Sequence, residues 1–140
     1  IIAVIKADAY GHGAVPIARM LEEFDYIWGF AAATAQEALQ LRKAGITRPI
    51  LILGLVFEEY YKKLAENDVR MAVCDYETAR KFNKAAEAAG KKGLIHLAAD
   101  TGMTRIGFKD SEESLEEIRR IAALPNVEIE GLFTQLCKSR

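Results

Sequence analysis

The sequence predicts a parallel β/α fold, and three observations carry that expectation. Short runs of Ile, Val, Leu and Ala alternate along the chain with longer stretches whose apolar residues recur at helical spacing. The short runs are nearly continuous in apolar residues, as strands buried on both faces should be. Passages between the two kinds of segment are marked by Gly, Pro, Asn or Asp, or by a helix-capping residue. The count is six strands and five helices, which either a doubly wound sheet or part of a barrel accommodates.

Ile1–Ile5 is the first strand, and a helix over Ala14–Glu23 follows it, with Pro16 in an early helical position. The second strand is Tyr26–Ala33. Thr34 then serves as N-cap with Glu37 three residues on, a capping box for a helix that runs to about Lys43 and ends at Gly45. Pro49 opens the third strand, Ile50–Leu53, and a helix rich in Glu, Tyr and Lys covers Phe57–Glu66. Asn67 and Asp68 turn the chain into strand four, Arg70–Cys74. Asp75 caps the long helix Tyr76–Ala89, and Gly90 to Gly93 lead into strand five, Leu94–Ala99. After a polar loop through Phe108, Asp110 and Glu113 form a capping-box pair for a helix over Ser111–Ala123. Pro125 and Asn126 then make a turn before strand six, Val127–Phe133.

A chain of 140 residues with 51% hydrophobic content can bury one core, and its formal charge of −1 argues against a nucleic-acid partner. The longest apolar runs, such as Ile50–Phe57, are too short to cross a bilayer. The first residues lack the basic, apolar and small-residue succession of a signal peptide, so no membrane partner and a cytoplasmic location are expected. Cys74 and Cys137 lie far apart with no histidine close to either, and neither a metal site nor a disulfide framework is indicated.

Two stretches carry candidate chemistry. Ala3–Gly13 reads Ala-Val-Ile-Lys-Ala-Asp-Ala-Tyr-Gly-His-Gly: a strand with Lys6 at its carboxyl end, then two glycines flanking His12 in a tight connection. Ligands of α/β proteins bind beyond the carboxyl ends of the strands, which makes Lys6 the first catalytic candidate. On spacing alone, a lysine that merely snorkels out of a strand end is the simpler account. The second stretch is Asp100–Phe108, where Arg105 brings a permanently charged, planar head suited to a cofactor oxygen or a substrate carboxylate. The remaining polar residues have plainer readings. His96 falls in mid-strand as a satisfied or barrel-lining histidine, and His12 belongs to its turn. Asp8 and Asp100 order loops through Asx turns. The charges of Glu112–Arg120 form a solvated helix face.

Residues 3–13 resemble the cofactor-lysine motif of bacterial alanine racemases, and Asp100–Phe108 resembles the second signature of that family. The resemblance implies a TIM-type (β/α)8 barrel followed by a mostly β C-terminal domain. On that basis residues 1–140 are expected to be a partial barrel domain with the C-terminal β domain absent, in keeping with a start in mid-strand at Ile1 and an end at Lys138-Ser139-Arg140 without a terminating element. It implies pyridoxal 5'-phosphate as cofactor, held by Lys6 as a Schiff base, with Tyr10 on its phosphate. It also implies that Arg105 contacts the cofactor's phenolic oxygen and helps position a substrate carboxylate, and that the Met103 backbone lies at the substrate site. The implied reaction interconverts L-alanine and D-alanine, supplying D-alanine for the cell wall. Lys6 would act on one face and a tyrosine from a second subunit's C-terminal domain on the other.

A homodimer follows from that arrangement, and open barrel edges are expected to favour self-association of this chain, since Val127–Phe133 carries only Glu128 and Glu130 as edge protection. Two positions depart from the family pattern. Ala98 stands where many relatives have a lysine, often carbamylated, that would pair with the arginine. Glu130–Gln135 resembles a stretch that ends in a histidine near the pyridine ring, so Gln135 is carried over as a cofactor contact by hydrogen bonding alone. The other readings are a racemase for serine or another amino acid, and a catalytically silent barrel fragment that binds cofactor or self-associates.

Overall fold

A computed structural model describes residues 1–137; the chain end at Lys138, Ser139 and Arg140 lies outside the described residues. Six strands form one sheet: β1 (Ile2–Val4), β2 (Gly29–Ala32), β3 (Ile50–Ile52), β4 (Val69–Val73), β5 (Gly93–Ala99) and β6 (Val127–Thr134). They lie in the order of the sequence, and every neighbouring pair is parallel. That order decides between the two architectures left open by periodicity. A doubly wound sheet reverses its strand order at a switch point, whereas a barrel wall advances one strand at a time.

Five helices connect the strands: α1 (Ala14–Leu21), α2 (Ala35–Lys43), α3 (Tyr61–Glu66), α4 (Tyr76–Ala89) and α5 (Glu112–Ala122). The side-chain alternation of each strand separates two surfaces. Phe30, Ile50, Ile52, Met71, Val73 and Ile95 join Leu41, Leu64, Phe82 and Ile121 of the helices in the core. Each such Leu, Ile or Phe, once fully buried, stabilises by about 1.5–3 kcal/mol relative to exposure. Phe82 packs edge-on against Tyr61 at 5.7 Å between ring centres. The intervening residues Ala31, Leu51 and Ala98 face the concave side together with Ile2 and Val4, and there they line a cleft.

The local corrections have physical causes. The expected helix Phe57–Glu66 divides into a tight 3-10 turn, Glu58–Tyr60, and the helix α3. Phe57 is 79% exposed, so no packing recruits it into a helical face. The N-cap of α5 is Ser111, whose hydroxyl accepts from the Ser114 N–H at 3.2 Å, and not Asp110 with Glu113. Nor is that helix face wholly solvated. Glu117 accepts the Tyr76 N–H at 2.6 Å, and the Arg120 guanidinium lies 3.8 Å from the Tyr76 ring centre. These contacts tie α5 to the first turn of α4.

In β6 a bulge sets two residues against one. Ile95 pairs with Ile129 while His96 pairs with Gly131, so Glu130 and Gly131 together oppose His96, and Glu130 lies on the face opposite Ile129 as strand alternation places it. Its carboxylate accepts two hydrogen bonds from Arg70, both at 2.8 Å, and lies 3.1 Å from His96 Nε2. Glu130 therefore does not guard the strand edge. Gly131 is dictated by the same packing, because a Cβ there would come within 2.7 Å of the His96 ring.

Candidate functional site

Lys6 follows directly on β1. The Ile5 N–H still bonds the Ala31 carbonyl at 2.9 Å, the last rung towards β2. The chain then winds the wrong way: Ala7, Asp8, Ala9 and Tyr10 have φ values of 51, 52, 53 and 55°. For L-residues a left-handed turn costs roughly 1–2 kcal/mol per residue, so it persists only where other contacts hold it.

Those contacts are visible. The Ala7 N–H donates to Glu37 Oε1 at 2.8 Å, the Gly13 N–H to the Asp8 carbonyl at 2.8 Å, and His12 Nδ1 lies 3.0 Å from the Ala9 carbonyl. The Asp8 carboxylate does not close an Asx turn of its own. It reaches forward to accept the Ala14 N–H at 2.7 Å and so satisfies a free donor at the start of α1, where Gly13 offers no side chain.

The second stretch forms a stitched loop after β5. The Phe108 N–H donates to Ala98 and the Asp100 N–H to Phe108, at 2.8 and 2.9 Å. Within the loop the Asp100 carboxylate accepts from the N–H groups of Thr104 (2.9 Å) and Gly102 (3.0 Å), and these donors hold its pKa below the usual carboxylate range. The Asx turn expected at Asp100 is thus present. Thr134 bonds the Ala99 carbonyl at 2.8 Å and lies 2.7 Å from the Thr101 hydroxyl, which locks the loop to the end of β6.

These elements converge on one cleft of about 270 Å³ at the carboxyl ends of the strands. Ile2, Val4, Ala31, Leu51 and Leu53 supply its apolar floor. Lys6, Met103, Arg105 and Gln135 stand at its sides, four of the five residues singled out from the sequence. Tyr10 is the fifth; it sits at the far end of the left-handed turn, 61% exposed, and does not line the cleft. Sequence reasoning missed Thr134 and the floor residues. Thr134 is adjacent to Gln135 in the third stretch, while the floor could be found only once the inner face of the sheet was known.

Electrostatics define what the cleft can hold. Among the described lining residues two are cations, Lys6 and Arg105, and none is acidic. Arg105 makes no salt bridge and no side-chain hydrogen bond among the described residues, and its neighbour Ala98, 2% exposed, offers only a methyl group. An amine and an unpaired guanidinium beside an apolar floor suit an anionic ligand that carries a carbonyl group. Thiol chemistry has no comparable support: burial first, then Asp75, pushes the Cys74 thiol pKa up, away from the reactive thiolate.

Sequential parallel strands, outer helices and a cation-lined cleft at the strand ends define the wall of a β/α barrel. The description "Alanine racemase, N-terminal domain" matches residues 1–140, and the chain belongs to that family. It is 45% identical to the alanine racemase of Methanococcus maripaludis over 134 residues, 96% of this chain and 36% of the relative. The alanine racemase of Clostridium difficile 630 in complex with cycloserine superposes with a TM-score of 0.95 at 43% identity, over 98% of this chain and 37% of that one. A histidine racemase from Leuconostoc mesenteroides superposes at 0.86 with 31% identity, over 98% and 37%. The chain thus spans a little over a third of the length of the relatives it matches.

Proposed function

We propose that this chain belongs to a pyridoxal-phosphate-dependent racemase that interconverts L-alanine and D-alanine and supplies D-alanine for the cell wall. The observation that carries the reading is the pairing of Lys6 with Arg105 in one apolar-floored cleft, within a chain of the alanine racemase family. Bound through its aldehyde to an amine, pyridoxal 5'-phosphate supplies an electron sink for the pair left when an amino acid's Cα–H bond breaks.

The residues of the chain take the other roles. Lys6 would hold the cofactor and would take or return the proton at the substrate Cα on its own face. Arg105 binds anionic oxygen, of cofactor or of substrate carboxylate, by charge-assisted hydrogen bonds. Met103 borders the substrate and Gln135 offers an amide hydrogen bond to the ring. Tyr10, exposed on the turn, is assigned to the phosphate. The proton on the opposite face requires a second group, which the reading places outside these residues, on a partner subunit. The protein is accordingly read as a homodimer of the cytoplasm, and no helix among the described residues is long and apolar enough to cross a membrane.

A second reading has one specific support: a histidine racemase shares the fold at 31% identity. The same cleft chemistry would then serve another amino acid, serine among them, with the side chain chosen by groups around the cleft. Incubating the full-length protein with L-alanine in deuterium oxide tests both. D-alanine deuterated at Cα is the expected product. Faster turnover of L-serine or L-histidine would favour the second reading, and no α-deuterium uptake from any amino acid would overturn both.

A further inference from the structure

Glu37 does more than its capping box requires. As the third residue of α2 it needs only to accept the Thr34 N–H, which it does through Oε2 at 3.2 Å, while Thr34 returns a bond to the Glu37 N–H. The same Oε2 also takes the Ala33 N–H at 2.8 Å, and Oε1 takes the Ala7 N–H at 2.8 Å. One carboxylate therefore closes off the ends of two adjacent strands, β1 and β2, on either side of the cleft lysine.

The Ala7 bond falls at a decisive point. The ladder between β1 and β2 runs as far as the Ile5 N–H on the Ala31 carbonyl; its next rungs would take the Ala33 N–H to the Ile5 carbonyl, which instead accepts the Ala9 N–H at 2.9 Å, and the Ala7 N–H to the Ala33 carbonyl. Glu37 takes both of those donors instead. Freed from the sheet but not left unpaired, Ala7 opens the left-handed turn, and Lys6 is the residue between the last rung and the turn. Only a carboxylate can do this, because three N–H groups converge on two acceptor oxygens; a carboxamide would set its own NH2 against one of them.

We propose that Glu37 is the positioning residue for Lys6: by holding the Ala7 N–H against the end of β2 it fixes where the Lys6 amine enters the cleft. This rests on the reading of Lys6 as the amine that carries the cofactor, and the experiment separates the two claims.

The full-length protein is titrated with pyridoxal 5'-phosphate, following the visible absorbance of the lysine adduct and its pH midpoint, for wild type, Glu37→Gln, Glu37→Asp and Thr34→Ala. Thr34→Ala breaks the other half of the capping box without touching Ala7. It is expected to lower thermal stability by a few degrees yet leave the dissociation constant within about twofold. Glu37→Gln is expected to weaken binding about tenfold, the loss carried by one hydrogen bond to a charged acceptor. It should also displace the pH midpoint, which helix stability alone does not set. Glu37→Asp keeps the negative charge at the start of α2 but is one methylene short of Ala7, so it should weaken binding similarly, and it serves if Glu37→Gln does not fold. Equal dissociation constants and pH midpoints for Thr34→Ala and the Glu37 variants would overturn the positioning role while leaving Lys6 in place. Failure of the wild type to form any adduct would overturn the reading of Lys6 and the inference with it.

Discussion

Glu130 lies on the face of β6 opposite Val127 and Ile129, and there its carboxylate meets Arg70 and His96. The hydrogen bonds from Arg70, joined by that of His96, hold its pKa below the usual carboxylate range against the opposing effect of burial. A depressed folded pKa stabilises the native state above the unfolded value, near 4.3, and that contribution is lost as pH falls through the folded value. The urea midpoint should therefore fall as pH drops below about 4.5, and it should fall less steeply in Glu130→Gln; identical acid profiles would remove Glu130 from the account. Gly131→Ala drives a Cβ into the His96 ring and should cost about 1–3 kcal/mol in urea unfolding. The cost should shrink in a His96→Ala background, where the ring is gone. Single residues were unevenly legible in the sequence. A mid-strand histidine reads correctly as satisfied, but that Glu130 is its partner depends on the pairing register of β5 with β6, which the periodicity of one strand does not announce.

Among the elements, helix starts were legible where one capping residue stood alone. Thr34 with Glu37, and Asp75 before Tyr76–Ala89, lie where the sequence places them, Asp75 accepting the Thr78 N–H at 2.7 Å. Asp75→Ala should destabilise by about 1 kcal/mol, read by thermal or urea unfolding. Before α5 two capping residues compete, Asp110 and Ser111, and tertiary packing that buries Ile121 chooses between them. Ser111→Ala should then cost about 1 kcal/mol and Asp110→Ala under ~0.5 kcal/mol; the reverse order would return the cap to Asp110. The left-handed turn after Lys6 was not legible, because Ala7, Ala9 and Tyr10 carry no local preference for positive φ. What holds them is an acceptor from another helix and a hydrogen bond from His12.

Over the whole molecule, the alternation of apolar runs fixed the number and direction of strands but left doubly wound and barrel arrangements equally open. The two motif resemblances pointed to the barrel, and the strand order bears that out, with the concave face that gathers Lys6, Met103, Arg105 and Gln135. Within the described residues β1 and β6 each pair on one side alone, and Leu132 on β6 is 68% exposed. Unpaired edges beside apolar surface are templates for association, so the 140-residue chain by itself should form dimers or larger species in light scattering at ~0.1 mM. A monomer at that concentration would mean that the edges are protected by means the fold does not display. The central claim is that Lys6 is the amine the cleft presents to a carbonyl-bearing anion, and covalent trapping tests it most directly. The full-length protein is incubated with pyridoxal 5'-phosphate, reduced with borohydride, digested and mapped by mass spectrometry. The account predicts that the label falls on Lys6; label on surface lysines such as Lys62 or Lys91 with Lys6 unmodified would contradict it.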